Sequence, residues 1–210
     1  MKSKISKWDP NIVLLFIENW WPLETLTLKE LTFKLVFLLA MCSGQRVNTL
    51  SNINLDNIYF HEENCTIYFN VLLKSTRVNF QQEPLSFMPY ENEKICVINV
   101  LKHYINRTRD IRKDSQLLIS FRKPFLKISS DTISRWIKAL LLLAGIDVHK
   151  NNIKSHSTRA LSTSIASLSG MNISQIMAAA GWSCENTFTT FYKQSVKVNY
   201  GNSVLKECVT

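Results

Sequence analysis

The stretch Thr27–Arg46, "TLKELTFKLVFLLAMCSGQR", has the signals of a helix start at one end and of a helix stop at the other. Thr27 is followed three residues later by Glu30, the pattern of a capping box, in which each residue binds a free backbone N–H at a helix start. The pattern predicts a helix that runs to about Met41. Gly44 ends it, because glycine readily takes the left-handed conformation that closes a helix.

The composition indicates one globular, mostly helical chain. The 210 residues are 46% apolar, enough for one good core. Only 5 glycines and 5 prolines interrupt the pattern. The apolar run Leu31–Cys42 contains Thr32 and Lys34 and is too short to span a bilayer, so no membrane partner is expected.

Helical patterns recur on both sides of this central segment. Asp9 followed by Pro10 is a typical helix start, with the aspartate as N-cap and proline in the first turn. Caps, apolar periodicity and glycine stops define the other helices. They are predicted over Val47–Ile53, over 92–108, from Ser130 or Asp131 to Gly145, over Arg159–Ser169 with Leu161, Ile165 and Leu168 on its apolar face, and from Asn172 to Ala180.

One region breaks the helical pattern. The stretches "NIYF", "CTIYFNVLL" and "PLSFMPY" are rich in β-branched and aromatic residues. They predict a small antiparallel sheet of two or three strands over 57–89. The expected fold class is therefore mainly α with a small antiparallel β-sheet (α+β).

The net charge of +9 is concentrated in one segment. Residues 1–101 carry 9 Lys+Arg against 10 Asp+Glu, residues 102–159 carry 13 against 4, and residues 160–210 carry 3 against 2. A concentrated basic region favours a polyanion such as nucleic acid. A solvated basic surface is the alternative explanation.

The cysteines and histidines indicate neither a disulfide framework nor a metal site. Five cysteines are scattered without a CxxC pair, and four histidines lack zinc-ligand spacing. We therefore expect no metal and no cofactor, and a reducing compartment.

The stretch "IKSHSTRALS", residues 153–162, places two basic side chains beside each other. His156 and Arg159 are three residues apart at a helix start, so they share one face. Two neighbouring cations repel each other unless an anion lies between them, and a helix N-terminus also attracts anions. The pattern favours an anion-binding site.

This stretch and four others, taken in their order along the chain, resemble motifs of the tyrosine recombinase catalytic domain. This is the phage-integrase family, and the resemblance is to the recombinases of animal mobile elements within it. The resemblance runs from about Leu28 to Gln194. Its residues are Arg46 in "CSGQRVNTL", Lys74 in "VLLKSTR" with Arg77 as the alternative, His156 and Arg159 in "HSTR", Trp182 in "AAGWS", and Tyr192 in "TFTTFYK".

The resemblance implies a role for each of these residues. Arg46 and Arg159 would clamp the scissile phosphate, and His156 would donate to it or assist proton transfer. Lys74 would protonate the leaving 5′-oxygen. Fixed cations suit this task, because negative charge builds on the phosphate oxygens in the transition state.

The last two residues carry the nucleophile. Tyr192 would attack the phosphorus and form a 3′-phosphotyrosine link, and Trp182 would donate its indole N–H and pack against the tyrosine's helix. The nucleophile more often follows nine residues after the tryptophan position, which here is Phe191. Tyr104 and Tyr200 are rival tyrosines. A second departure is Thr49, at a position where many members carry an acid.

The resemblance also implies function, partners and organisation. It implies a site-specific recombinase acting on double-stranded DNA, as a tetramer, in the nucleus. A non-cleaving DNA-binding remnant is the alternative, and a topoisomerase-like relaxing enzyme and a domain without DNA contacts are further ones. We expect a linker or remnant over 1–24, which is too short for the family's N-terminal DNA-grasping domain, the catalytic domain over 25–194, and a tail over 195–210.

Overall fold

A computed structural model describes residues 8–69, 83–150, 152–154 and 156–182. Within these ranges the chain is mainly helical with one small sheet, as the sequence predicts. The elements are α1 Pro10–Glu18, α2 Leu28–Ser43, α3 Val47–Ser51, β1 Ile58–Phe60, β2 Cys65–Ile67, β3 Leu85–Phe87, α4 Val97–Thr108, α5 Ser130–Leu143, α6 His156–Leu168 and α7 Ile173–Ala180.

Helix α2 forms the centre of the core. The capping box is present: Glu30 N donates to Thr27 Oγ1 at 3.2 Å, and Thr27 N donates to Glu30 Oε2 at 2.8 Å. The helix ends at Gly44 with φ 59°. From Leu31 to Ala40 every residue is buried, because α4, α5 and α6 all pack against this helix.

The buried run includes a lysine. Lys34 is fully buried, and its Nζ donates to the carbonyl of Trp20 at 2.6 Å, just beyond the end of α1. Helix α1 itself begins as predicted, with Asp9 Oδ1 accepting from Asn11 N at 2.9 Å and Pro10 in the first turn. Lys34 therefore connects the N-terminal helix to the centre of the core.

The three-stranded antiparallel sheet has the order β1-β2-β3. Cys65 and Ile67 of β2, with Leu85 and Phe87 of β3, face the core, whereas Ser86 is exposed. This alternation confirms the predicted sheet. The connection from β2 to β3 contains Lys74 and Arg77, which lie outside the described residues.

Two predicted helix starts need small corrections. Helix α4 begins at Val97, after a short turn of 3-10 geometry over Glu93–Ile95. Helix α5 is capped by Ser129, not by Ser130 or Asp131, because the Ser129 hydroxyl accepts from Thr132 N.

Helix α6 differs from its prediction in both its start and its buried face. It begins at His156, one turn before Arg159. Leu161 is buried, but Ile165 and Leu168, predicted on the same apolar face, are exposed. The buried positions are instead mostly small or hydroxyl-bearing, namely Thr158, Ala160, Thr163 and Ser164.

Helix α7 matches its prediction at both ends. Asn172 Oδ1 accepts from Gln175 N at 2.8 Å, and Gly181, with φ 67°, closes the helix. Among the described residues no helix has the length and apolarity to cross a membrane, and no cluster of three metal-ligating side chains occurs.

Candidate active site

The turn after α2 places Arg46 at the start of α3. The Ser43 hydroxyl donates to Leu39 O at 2.6 Å and accepts from Gln45 N at 3.2 Å, which fixes the path of the chain around Gly44. Arg46 then occupies the N-cap position of α3 in an extended conformation. From this position the Arg46 side chain reaches the end of α7.

Arg159 reaches the same place from α6. Its side chain is 3% exposed, and Nη1 donates to the carbonyls of Gly44 at 2.8 Å and of Ala180 at 2.7 Å. Hydrogen bonds from a charged donor are worth about 1.5–3 kcal/mol each, which offsets part of the cost of burying the cation.

The two arginines converge on neighbouring carbonyls. Arg46 Nη1 donates to Gly181 O at 3.1 Å, next to the Ala180 carbonyl that Arg159 binds. These carbonyls lie at the C-terminus of α7, where a helix has unpaired carbonyl groups and the negative end of its dipole. The end of α7 thus holds two guanidinium groups at one point of the fold.

Trp182 packs directly on this pair. It is buried, its backbone N–H donates to Met177 O at 2.8 Å, and its ring centroid lies 4.5 Å from Arg159 Cζ. A guanidinium over an indole face is a favourable cation–π arrangement. These contacts bring Arg46, Arg159 and Trp182 into one cluster, although Arg46 and Trp182 are 136 positions apart in the sequence.

The other predicted site residues are described only in part. His156 is the first residue of α6, one turn before Arg159, and its description is limited to that backbone position. Lys74, with its alternative Arg77, and Tyr192 lie outside the described residues, so their predicted roles stay predictions.

Among the rival tyrosines, Tyr200 also lies outside the described residues, and Tyr104 lies in the core. Tyr104 is fully buried on α4, and its hydroxyl accepts from Ile119 N at 3.3 Å. Burial raises the pKa of this phenol, which disfavours the phenolate. The Arg112 guanidinium lies 5.5 Å from its ring centroid. Tyr104 is therefore a buried core residue, which disfavours it as the nucleophile.

One residue of the cluster has no counterpart in the sequence prediction. Gln45 is 2% exposed, and its Nε2 donates to Ala179 O at 2.7 Å. Its neighbour Arg46 was predicted because it matches the first arginine of the tyrosine recombinases in the resemblance. The only signal for Gln45 is an amide side chain between a helix-closing glycine and that arginine.

The fold is that of the catalytic domain of tyrosine recombinases. The chain superposes on the crystal structure of XerA recombinase with a TM-score of 0.63 at 16% identity, covering 99% of this chain and 63% of that one. On XerH site-specific recombinase bound to difH substrate in a pre-cleavage complex, the TM-score is 0.67 at 14% identity, covering 100% of this chain and 55% of that one. On a lambda integrase tetramer bound to a Holliday junction, the TM-score is 0.54 at 14% identity, covering 95% of this chain and 51% of that one.

The sequence assigns the family. The model of the phage integrase family matches residues 23–197, so this chain belongs to the phage integrase family. No curated protein matches the chain. The chain spans less than two thirds of the length of these three solved structures.

Proposed function

We propose that this chain breaks and rejoins DNA through a covalent 3′-phosphotyrosine intermediate, as a site-specific recombinase. The observation that carries the proposal is the convergence of Arg46 and Arg159 at the end of α7, beside Trp182. Two fixed guanidinium groups stabilise the extra negative charge of a phosphoryl transition state and can grip two oxygens each.

The proposed reaction is a balanced exchange of phosphoester bonds. The Tyr192 oxygen forms a bond to phosphorus while the bond to the 5′-oxygen breaks. The phenol proton leaves through a nearby base, for which His156 is the candidate, and Lys74 or Arg77 supplies a proton to the departing oxygen. Rejoining reverses these steps, so the scheme consumes no cofactor.

The finer features of the proposal follow from the family. We propose double-stranded DNA as substrate and a tetramer as the acting form, since the solved neighbours include a recombinase on its DNA substrate and an integrase tetramer on a Holliday junction. Origin in an animal mobile element and work in the nucleus are further proposals that rest on sequence resemblance alone.

A specific observation favours a second candidate, a DNA-binding module that no longer cleaves. Arg159 is buried, and Arg46 and Arg159 both donate to backbone carbonyls, an arrangement that would also suit a purely structural pair of helix caps. In that case the two arginines would maintain the fold for DNA binding without stabilising the transition state of cleavage.

A suicide DNA substrate distinguishes the two. We expect the protein to form a covalent DNA adduct on a denaturing gel, and Tyr192→Phe to abolish it while leaving DNA binding within about twofold. Loss of the adduct in Tyr192→Phe but not in Tyr104→Phe identifies the nucleophile. DNA binding without any adduct in the wild-type protein establishes the second candidate.

A further inference from the structure

Gln45 lies beside the cluster of Arg46, Arg159 and Trp182, here called the arginine cluster, although it carries no charge. It follows Gly44 and precedes Arg46 in the chain, and its amide is buried against the end of α7. Its Nε2 donates to Ala179 O at 2.7 Å. Its buried Oε1 has no hydrogen-bond partner among the described residues.

The last carbonyls of α7 can be accounted for one by one. The Met177 carbonyl accepts from Trp182 N at 2.8 Å, and the Ala178 carbonyl accepts from Gly181 N at 3.2 Å, so the backbone itself closes that part of the helix. The following carbonyls bind side chains from elsewhere in the fold. Gln45 donates to the carbonyl of Ala179, and Arg159 donates to that of Ala180. Arg46 donates to the carbonyl of Gly181.

These three donors differ in what a phosphate would do to them. A phosphate is a stronger acceptor for a guanidinium than a peptide carbonyl is, because the hydrogen bond is then assisted by opposite charges. Arg46 and Arg159 are therefore the donors that a DNA phosphate would compete for. The neutral amide of Gln45 gains no such charge assistance, so its bond to the carbonyl of Ala179 persists when phosphate is bound.

We propose that Gln45 is a positioning residue of the active site. It holds the C-terminal end of α7 in place when a phosphate competes for the donors of the two arginines. That end carries Trp182, and Tyr192 follows ten residues later in the sequence. The inference rests on the proposed function for its catalytic consequence, whereas the anchoring of α7 is a property of the protein without DNA.

The test replaces the amide by an apolar side chain of similar length. In Gln45→Met we expect amide hydrogen exchange in the segment 176–182 to rise about fivefold, the effect of losing one hydrogen bond worth about 1 kcal/mol. Affinity for uncleaved DNA stays within about twofold, because both arginines remain. The rate of covalent adduct formation falls about tenfold or more, since misplacement of the nucleophile affects chemistry more than binding.

Two further variants sharpen the result. Gln45→Asn keeps the amide but shortens the side chain, so we expect its exchange rate to lie between those of the wild type and Gln45→Met. This variant supplies the test if Gln45→Met folds poorly. In Gln45→Glu the carboxylate lies beside both arginines and competes with phosphate, so here DNA affinity falls together with the rate.

Gln116→Met is the matched control. The Gln116 amide donates to the carbonyl of Ser51 at the far end of α3, so the substitution removes the same kind of bond away from α7. We expect it to leave exchange in 176–182 and the adduct rate unchanged.

The outcomes separate this inference from the proposed function. A wild-type protein that forms no adduct defeats the proposed function, but exchange in 176–182 still decides whether Gln45 anchors α7. Unchanged exchange in Gln45→Met overturns the inference. So does a loss of DNA affinity that parallels the loss of rate in that variant, because a positioning residue alters the step and not the binding.

Discussion

Gly44 has a constrained backbone position next to the arginine cluster. Its φ is +59°, its carbonyl accepts from Arg159, and a Cβ built on it would lie 3.1 Å from Thr163 Cγ2. Both conformation and space therefore favour glycine here. The close contact lets α6 approach the end of α2, and this approach brings Arg159 to the cluster.

Gly44→Ala should therefore cost more than an ordinary glycine substitution. We expect a loss of roughly 2 kcal/mol or more in the free energy of unfolding, of which roughly 1 to 2 kcal/mol is the cost of the left-handed conformation. Urea denaturation of Gly145→Ala supplies the control, because Gly145 has φ +83° with nothing within 4 Å of an added Cβ. Equal losses in the two variants would show that the contact with Thr163 is unimportant.

Lys34 makes the stability depend on pH in an unusual direction. Burial lowers the pKa of its ammonium group to about 8, with the nearby Glu18 carboxylate opposing the shift. Between that value and the ordinary pKa of 10.5 the unfolded chain binds more protons than the folded one. The free energy of unfolding should then rise with pH in this window through Lys34.

Comparison with Lys34→Met isolates this contribution. We expect the stability of the wild type relative to the variant to increase by about 2 kcal/mol between pH 8 and pH 10. Groups common to both proteins, such as the buried thiol of Cys65 with its pKa raised to about 11 by burial, cancel in the difference. Denaturant titrations at several pH values measure it, and a constant difference would contradict a buried ammonium.

At the scale of elements, the sequence predicted what local chemistry determines. The capping box at Thr27, the cap at Asn172 and the glycine closures at Gly44 and Gly181 act within one turn, and all are present. The buried face of α6 was mispredicted, because its contact with α2 uses small polar side chains. Ser162 Oγ donates to Met41 O at 2.5 Å, a contact that apolar periodicity cannot reveal.

The candidate site shows the same division. The resemblance to the tyrosine recombinases predicted Arg46, Arg159 and Trp182 as site residues, but their shared contact at the end of α7 is a tertiary feature. Gln45 was missed because a single buried amide has no periodicity. Its partner, the carbonyl of Ala179, lies 134 residues away in the chain.

The same truncation at two positions of α6 tests its orientation. Leu161 is 3% exposed and Leu168 is 43% exposed. We expect Leu161→Ala to lower the free energy of unfolding by about 2–3 kcal/mol, as for a cavity in a core, and Leu168→Ala to change it by less than about 0.5 kcal/mol. Similar losses at both positions would mean that Leu161 and Leu168 are both buried on one apolar face, as the sequence predicted.

At the scale of the whole molecule, the charge is distributed unevenly along the chain. Residues 102–159 carry 13 Lys+Arg against 4 Asp+Glu, whereas the first 101 residues are nearly balanced. Arg122 and Lys123 are exposed cations of the basic segment, and Lys29 and Lys94 are exposed cations outside it. If the basic segment forms the proposed DNA interface, charge reversal at these two pairs should have different effects.

The two double variants change the net charge equally, so they separate local contacts from overall attraction. We expect Arg122→Glu with Lys123→Glu to weaken duplex DNA binding and to reduce the slope of log affinity against log salt by about 2, one for each lost phosphate contact. Lys29→Glu with Lys94→Glu should leave the slope nearly unchanged. Binding isotherms between about 50 and 200 mM salt measure both. Equal reductions of the slope in the two variants would mean that DNA binding depends on the total charge of the protein. That result would contradict the basic segment as the interface.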